Sequence, residues 1–272
     1  MNDSTSQTSP AWPTRWPNGS FSPLWTIGFV LLFAAVLLAL LVIIGIAVGI
    51  WAVATHRQGE LLIAAAHPAS LSTTFFVVNS AAQLVLEAFL VALILVAIPR
   101  LTHFSLRELG FRPPAGGAVL YGVLGALGMV VVGDLGSGLI DHFTHAVHPE
   151  LAEQIFEHLR RNLPAVAFFF FYAAIAQPIA EEMIFRVFIF NLGLRYGGFW
   201  AGAAVSGALF GYTHVFFKDA DAVTGALLGV SGVILCWVYY RSRNAYASMI
   251  SHGLFNALST AALYFAPKLA GG

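Results

Sequence analysis

Long apolar runs alternate with short polar segments along this chain, at the spacing typical of membrane-spanning helices. No Lys, Arg, Asp or Glu occurs between residues 16 and 56, and Leu24–Ala54 is almost continuously apolar. About 20 apolar residues are enough for a helix to cross the hydrocarbon core of a bilayer. This run is also longer than the apolar core of a signal peptide. It therefore predicts a spanning helix that stays in the membrane, preceded by a flexible tail of residues 1–23.

Six further apolar segments predict six further spans. They are residues 75–98, 117–140, 164–195, 199–217, 223–240 and 246–266. Pro178 predicts a kink in the fourth span, because its nitrogen cannot donate to the carbonyl of Ala174. Gly197 and Gly198 predict the turn that follows this span.

Two polar stretches separate some of these spans. Residues 100–114 contain three arginines and end in two prolines, which predicts a loop with a short surface helix. Residues 141–164 have apolar side chains at helical spacing among charged ones, which predicts an amphipathic helix at the membrane interface. The expected fold is all-α, a polytopic transmembrane helix bundle of about seven spans, with the interfacial helix as an eighth. Residues 24–100 would form N-terminal spanning helices and residues 101–272 the remaining bundle.

The amino-acid composition is typical of a multi-pass membrane protein, whose helices contact lipid. The chain is 58% hydrophobic and 10% charged, with a mean hydropathy of +0.80, whereas soluble domains are about 45–50% apolar and about 25% charged. The formal net charge of zero excludes the basic surface that a nucleic-acid partner requires. Cys236 is the single cysteine, which excludes an internal disulfide. The distribution of Lys and Arg favours an N-terminus on the cytoplasmic side.

Three ionisable residues stand close together within the fourth apolar segment. A charged side chain at the bilayer centre costs at least about 2.5–3.5 kcal/mol, so Glu181, Glu182 and Arg186 are candidates for function. Glu182 and Arg186 are four residues apart and can form an ion pair. Glu181 points about 100° away from Glu182 around the helix and is expected to be the unpaired acid. A carboxylate in such surroundings suits a general base that activates water, while the alternative is a charge cluster at a helix end.

A histidine on the next span is predicted to lie at the depth of Glu181. Glu181 precedes Gly197 by sixteen residues and His214 follows Gly198 by sixteen, so both lie about 24 Å from the turn. Phe210 lies four residues before His214, on the same helix face, where it can support the imidazole.

The last span contributes His252 and Asn256, which are four residues apart and share a face. An imidazole and a carboxamide on one face can donate to a developing oxyanion, and an imidazole can also bind a metal. Counted from the turn at residues 241–244, His252 is only about 12 Å deep. A match in depth with Glu181 therefore requires kinked or tilted helices.

These residues resemble the three motifs of the CAAX-protease and bacteriocin-processing (CPBP, or ABI) family of intramembrane endopeptidases, which includes the type II CAAX prenyl endopeptidases. The motifs are EExxxR at Glu181, Glu182 and Arg186, FxxxH at Phe210 and His214, and HxxxN at His252 and Asn256. The resemblance covers about residues 164–262, the expected catalytic core. Residues 106–114, LRELGFRPP, are similar to a polar segment that precedes the core in such proteins.

The resemblance implies hydrolysis of peptide bonds in membrane-associated substrates, by CAAX-type or leader-peptide processing, in a bacterial cytoplasmic membrane. Glu181 would be the base, and His214 would hold the attacking water. His252 and Asn256 would stabilise the oxyanion, while Glu182 and Arg186 would orient the site. Glu181, His214 and His252 could instead bind Zn²⁺ or another divalent metal, and the metal-free mechanism is equally open.

Three alternatives remain from the sequence. Gly229–Gly232 resembles the GxSG box of rhomboid serine proteases, and Ser231 and His252 lie at similar distances from Arg241. Glycines in this region more often allow close helix packing. Glu87, Asp134, Glu181, Glu182 and His214 stand in apolar segments and could form an ion or proton pathway in a transporter. The same family resemblance also allows a non-catalytic bacteriocin-immunity protein.

Overall fold

The computed structural model of the protein describes residues 23–66, 72–102, 105–145, 156, 159–217 and 220–265. Almost all of these residues are helical, and none of them forms a β-strand. The prediction of an all-α bundle is thereby confirmed. The predicted tail and most of the predicted interfacial helix lie outside the described residues.

Three helices precede the candidate site along the chain. They are α1, Pro23–Ala54, α2, Gln58–Ala66, and α3, Thr73–Thr102. Helices α1 and α3 pack together, and Val48 and Ala52 of α1 are buried against Phe75 of α3. The first two predicted spans are therefore neighbours in the bundle.

The third predicted span is a helix interrupted by one π-helical turn. Helix α4, Gly116–Val130, continues through Val131–Leu135 in π geometry into α5, Gly136–Thr144. The π turn contains Asp134, whose backbone carbonyl accepts from the hydroxyl of Ser137 at 3.0 Å.

The fourth predicted span is divided into four segments. Helix α6 is Leu163–Phe171, followed by a π turn at Tyr172–Ala176, helix α7 at Gln177–Glu182 and a π-helical stretch at Met183–Phe190. Asn162 caps α6, since its side chain accepts a hydrogen bond from the backbone N–H of Ala165.

The kink predicted at Pro178 takes the form of the π turn before it. Pro178 lies in the first turn of α7, and the backbone on both sides keeps right-handed helical angles. A proline nitrogen cannot donate to the carbonyl four residues earlier, and its ring crowds that carbonyl. The wider π turn at Tyr172–Ala176 accommodates this change of register without a break in the helix.

The last three helices form two hairpins. Helix α8, Asn191–Phe216, contains the predicted turn, because Gly198 has φ of 71° and leaves the helical conformation. Helix α9, Ala222–Ser242, is capped by Asp221 at its start, and Arg243 after its last residue has left-handed geometry. Helix α10 is Ala245–Phe265.

Five segments are long and apolar enough to cross a membrane by length and composition. They are Val30–Ala54, Thr73–Arg100, Gly116–Thr144, Leu163–Phe216 and Ala222–Ser242. Leu163–Phe216 has 54 residues and contains both the fourth and the fifth predicted spans. Helix α10, the seventh predicted span, is not among the five. Its sequence includes serine, histidine and asparagine, and several of these polar residues are buried inside the bundle.

The segment before α4 folds onto the turn between α9 and α10. It consists of successive turns, so the short surface helix predicted there is not formed within residues 105–114. Its Gly110 has φ of 93°, and the Gly110 carbonyl accepts from the backbone N–H of Ala245 at 2.9 Å. Tyr239 donates to the Leu109 carbonyl at 2.9 Å. The hydroxyl of Ser105 holds the pKa of Glu108 below its usual range.

Candidate active site

The ion pair predicted between Glu182 and Arg186 is present at the centre of the bundle. Nη1 of Arg186 lies 3.1 Å from Oε1 of Glu182, and both residues are fully buried. Nη2 of Arg186 also donates to the carbonyl of Gly232 on α9 at 3.4 Å. The pair neutralises two charges that are costly to bury separately.

Glu182 also holds His252 of α10. Nδ1 of His252 lies 3.0 Å from Oε1 of Glu182. A carboxylate paired with arginine can only accept, so Nδ1 must carry the hydrogen of this bond. The bond fixes the orientation of the imidazole and directs Nε2 away from Glu182.

Nε2 of His252 faces the other acid. It lies 3.6 Å from Oε2 of Glu181, which is too long for a direct hydrogen bond. Oε1 of Glu181 accepts from Nε2 of Gln177 at 2.8 Å. The expectation that Glu181 is unpaired is therefore wrong, since two partners contact its carboxylate.

The two adjacent acids differ in their access to the surroundings. The Glu181 side chain is 16% exposed, whereas that of Glu182 is 1% exposed. The Glu182 side chain is enclosed by the helix bundle, whereas part of the Glu181 side chain can be reached from outside the bundle. This difference suits Glu181 for contact with water and substrate.

The ring of Phe210 connects three of the predicted site residues. Its centroid is 4.7 Å from Cζ of Arg186, 4.8 Å from the ring of His214 and 5.6 Å from the ring of His252. A guanidinium over an aromatic face is attracted by the ring quadrupole, more strongly when both are desolvated. Phe210 thus stabilises the cation and fixes the positions of both imidazoles.

His214 joins the site through Phe210 rather than through a carboxylate. Its Nδ1 lies 2.8 Å from the carbonyl oxygen of Phe210. Because a carbonyl only accepts, Nδ1 carries the hydrogen, and Nε2 of the neutral ring is an acceptor. Such an acceptor can hold a water molecule.

Asn256 lies one helical turn beyond His252 and contacts the π turn at Tyr172–Ala176. Its Nδ2 donates to the carbonyl of Ala173 at 2.8 Å. One N–H of the carboxamide is therefore used within the protein, and the second remains for another acceptor.

The residues predicted as metal ligands do not form a ligand set. Among the described residues, no group of three or more His, Cys, Asp or Glu side chains could hold a metal ion. Nδ1 of His252 is bonded to Glu182 and Nδ1 of His214 to the Phe210 carbonyl, which leaves Nε2 as the free nitrogen of each ring. The role of Glu181, His214 and His252 as metal ligands stays a prediction.

The serine considered as an alternative nucleophile lies in a helix contact. Ser231 is fully buried, and its Oγ has no hydrogen-bond partner among the described residues. Gly229 and Gly232 face Gly207 of α8, where a Cβ at Gly232 would lie 2.9 Å from the Gly207 Cα. The interpretation of these glycines as sites of close helix packing is confirmed.

Several contributors to the site were missed by the sequence analysis. Gln177 precedes Glu181 by four residues, so helical spacing could have identified it. The hydroxyl of Tyr172 lies 3.2 Å from Oε1 of Glu87, a residue of α3. Nothing in the sequence indicated that the Gly232 carbonyl accepts from Arg186, because backbone acceptors cannot be recognised from residue type.

A family comparison covers the segment that contains this site. Residues 163–258 match the family described as type II CAAX prenyl endopeptidase Rce1-like. We refer to these matched residues, 163–258, as the Rce1-like domain. The match confirms the resemblance that the three motifs indicated, and it includes all six predicted catalytic residues. No curated protein and no solved structure matches the chain.

The Rce1-like family and the apolar helices agree on the kind of protein. The chain is an integral membrane protein with a domain of a protease family. Residues 1–162 lie outside the matched segment, and α3 from this region packs against the π turn and α7 of the Rce1-like domain.

Proposed function

We propose that the chain is an intramembrane endopeptidase in which Glu181 activates the attacking water. The observation that carries the proposal is the position of His252 between the two glutamates, 3.0 Å from Glu182 and 3.6 Å from Glu181. This arrangement joins an accessible carboxylate to an imidazole whose orientation is fixed by a second, buried carboxylate. It supports acid–base hydrolysis of an amide bond.

The first step is the attack of water on the scissile carbonyl carbon. Glu181 takes one proton from the water as the new C–O bond forms. Nε2 of His214 accepts a hydrogen bond from the other O–H of that water. This bond directs a lone pair of the water oxygen at the carbonyl carbon. Two acceptors on different helices would thus align the nucleophile before reaction.

Two donors then stabilise the charge on the carbonyl oxygen. His252 donates from Nε2 as an imidazolium, and Asn256 donates its second N–H. The Glu182 carboxylate stabilises the imidazolium through Nδ1, as a carboxylate does for histidine in serine proteases. Glu182 and Arg186 are therefore positioning residues that act through His252.

Collapse of the tetrahedral intermediate completes the reaction. The C–N bond breaks, and the proton held by Glu181 passes to the leaving nitrogen. The products are a carboxylic acid and an amine, and Glu181 returns to its ionised form. No step in this sequence needs an oxidant or another co-reactant.

The buried charges support the same assignment. Arg186 offsets the charge of Glu182, and a compensated pair is far less costly to hold in a low-dielectric interior than a single carboxylate. Glu181 has no such buried cation beside it, but its side chain is 16% exposed.

The proposed substrates are membrane-associated proteins with a CAAX-type C-terminus. This class comes from the description of the Rce1-like family. A site within apolar helices requires a substrate that is itself held at the membrane, which a prenyl chain provides.

The test uses the full chain reconstituted in vesicles with three quenched fluorescent peptides. They are a prenylated CAAX-type peptide, the same peptide without the prenyl group, and an unrelated transmembrane peptide. Cleavage of the prenylated peptide at least about tenfold faster than of the other two supports the proposal. Absence of cleavage of all three peptides, in a preparation whose helicity and thermal unfolding are intact, contradicts it.

A further inference from the structure

The π turn at Tyr172–Ala176 lies between α3 and α10 and leads directly into α7. Gln177, the first residue of α7, donates to Glu181. Any shift of the π turn is therefore transmitted to the proposed base. Isolated π turns within α-helices occur frequently at functional sites.

Helix α10 supports one side of this turn. Asn256 donates to the carbonyl of Ala173 at 2.8 Å. A Cβ at Gly253 would lie 2.5 Å from the carbonyl oxygen of Ala174, so only glycine allows this approach. The turn thus fixes the distance between Glu181 on α7 and Asn256 on α10.

Helix α3 supports the other side through a single hydroxyl group. The hydroxyl of Tyr172 lies 2.8 Å from Oε1 of Gln83 and 3.2 Å from Oε1 of Glu87. Both acceptors stand on α3, four residues apart and on one face. This contact lies across the boundary of the matched segment, because α3 precedes residue 163.

Glu87 lies on the side of α3 that faces the π turn, with its Oε1 3.2 Å from the Tyr172 hydroxyl. Its Oε2 is shielded from solvent and has no hydrogen-bond partner among the described residues. Its carboxyl group interacts electrostatically with that of Glu181. An acid is costly to keep in an apolar helix without a role, and the bond to Tyr172 gives this acid a structural partner at the site.

We propose that Glu87 and Tyr172 are positioning residues that hold the π turn, and through it Glu181 and Asn256, in the reactive arrangement. The inference rests on the proposed peptidase function. It assigns a catalytic contribution to α3, a helix outside the Rce1-like domain. Because a displacement of about 1 Å in a reacting group can cost up to about 100-fold in rate, loss of this contact should lower kcat.

The experiment measures kcat and KM of the reconstituted full chain for the prenylated peptide in four variants. They are Tyr172→Phe, Glu87→Leu, Glu87→Gln and the double variant Tyr172→Phe with Glu87→Leu. Tyr172→Phe and Glu87→Leu should each lower kcat about tenfold and leave KM within about twofold. Glu87→Gln keeps an acceptor oxygen for Tyr172 and should recover most of the kcat lost in Glu87→Leu.

The double variant shows whether the two residues act through one contact. Its kcat should be no lower than that of Tyr172→Phe alone, because that change already removes the hydroxyl that contacts Glu87. Tyr239→Phe is the matched control, because its hydroxyl also joins two segments, Leu109 and Asn191, away from the site. This control should lower the thermal unfolding temperature and leave kcat unchanged.

Three outcomes would overturn the inference. They are an unchanged kcat in Tyr172→Phe, additive effects in the double variant, or a loss in Tyr239→Phe equal to that in Tyr172→Phe. Suppose that wild type and Tyr172→Phe cleave equally well and Glu181→Gln is inactive. This result removes the inference about Tyr172 and Glu87 and leaves the proposed function in place. A wild-type chain that cleaves no peptide removes both.

Discussion

Oε1 of Glu182 lies 3.0 Å from Nδ1 of His252 and 3.1 Å from Nη1 of Arg186. One carboxylate oxygen therefore joins the π-helical stretch after α7 to α10, and it links the first sequence motif to the third. Glu182 combines two roles. It compensates a buried cation and it orients the imidazole nearest to Glu181.

Glu182→Gln should lose stability and activity for separable reasons. It leaves Arg186 as an uncompensated buried charge, which costs about 3–5 kcal/mol. It also removes the negative charge that stabilises an imidazolium at His252, and we expect kcat to fall about 100-fold. Thermal unfolding and peptide cleavage measure the two effects.

The double variant Glu182→Gln with Arg186→Met separates the effect of Glu182 on stability from its effect on activity. Its unfolding temperature should recover toward wild type, because no unpaired charge remains, while kcat should stay low. A kcat that recovers together with stability would contradict the role of Glu182 in orienting His252.

Phe210→Leu should lower activity more than stability. The substitution keeps an apolar side chain but removes the ring that contacts Arg186, His214 and His252. We expect a fall in kcat of about tenfold, since both imidazoles lose a fixed neighbour. Phe190→Leu is the matched control, because Phe190 is as deeply buried and contacts Phe199 and Tyr239 instead. Equal losses of kcat in the two variants would count against a specific role of Phe210.

The depth of His252 illustrates where sequence reasoning was limited. Counting residues from the two turns placed Glu181 and His252 about 12 Å apart in depth. The structure brings them within 3.6 Å. Asn191, six residues before Gly197, bonds to Tyr239, which lies only two residues before Arg241. The two turns are therefore staggered by about 6 Å along the bundle.

The π-helical stretch accounts for part of the remaining difference. Eight residues, Met183–Phe190, lie between α7 and α8 in this wider geometry, which shortens the rise of the chain. Apolar patterning cannot reveal π geometry, because the side chains on both sides remain hydrophobic. Spacing within one helix was reliable, as the Glu182–Arg186 pair shows. Distances between helices depended on turns and π segments that the pattern does not encode.

The contact between α3 and the π turn also could not be predicted from the sequence. Glu87 was recognised as an unusual acid in an apolar run, but its partner could not be named. The contact with Tyr172 joins residues 85 positions apart. Such a pair depends on helix packing, and no local spacing rule predicts it.

Ser231→Ala should leave peptide cleavage unchanged. The hydroxyl of Ser231 has no hydrogen-bond partner among the described residues, so its removal should also be neutral or slightly stabilising. Both ring nitrogens of His252 face carboxylates instead of this serine. Loss of cleavage in Ser231→Ala with unchanged unfolding would favour the serine mechanism.

Chelation should have little effect on the rate. No three-ligand metal set is present among the described residues, so incubation with EDTA or 1,10-phenanthroline should leave kcat within about twofold of the untreated sample. A large loss that Zn²⁺ restores would show that a metal is required. Metal content measured on the same purified sample is the control for incomplete removal.

Glu181→Gln tests the central claim most directly, because it keeps the size of the side chain and one acceptor oxygen for Gln177 but removes the base. The measurement is kcat/KM of reconstituted wild type and variant for the prenylated CAAX-type peptide, with thermal unfolding of both proteins as the control. We predict that cleavage falls by at least about 1,000-fold while the unfolding temperature changes little. Cleavage by Glu181→Gln at a rate close to that of wild type would contradict the account.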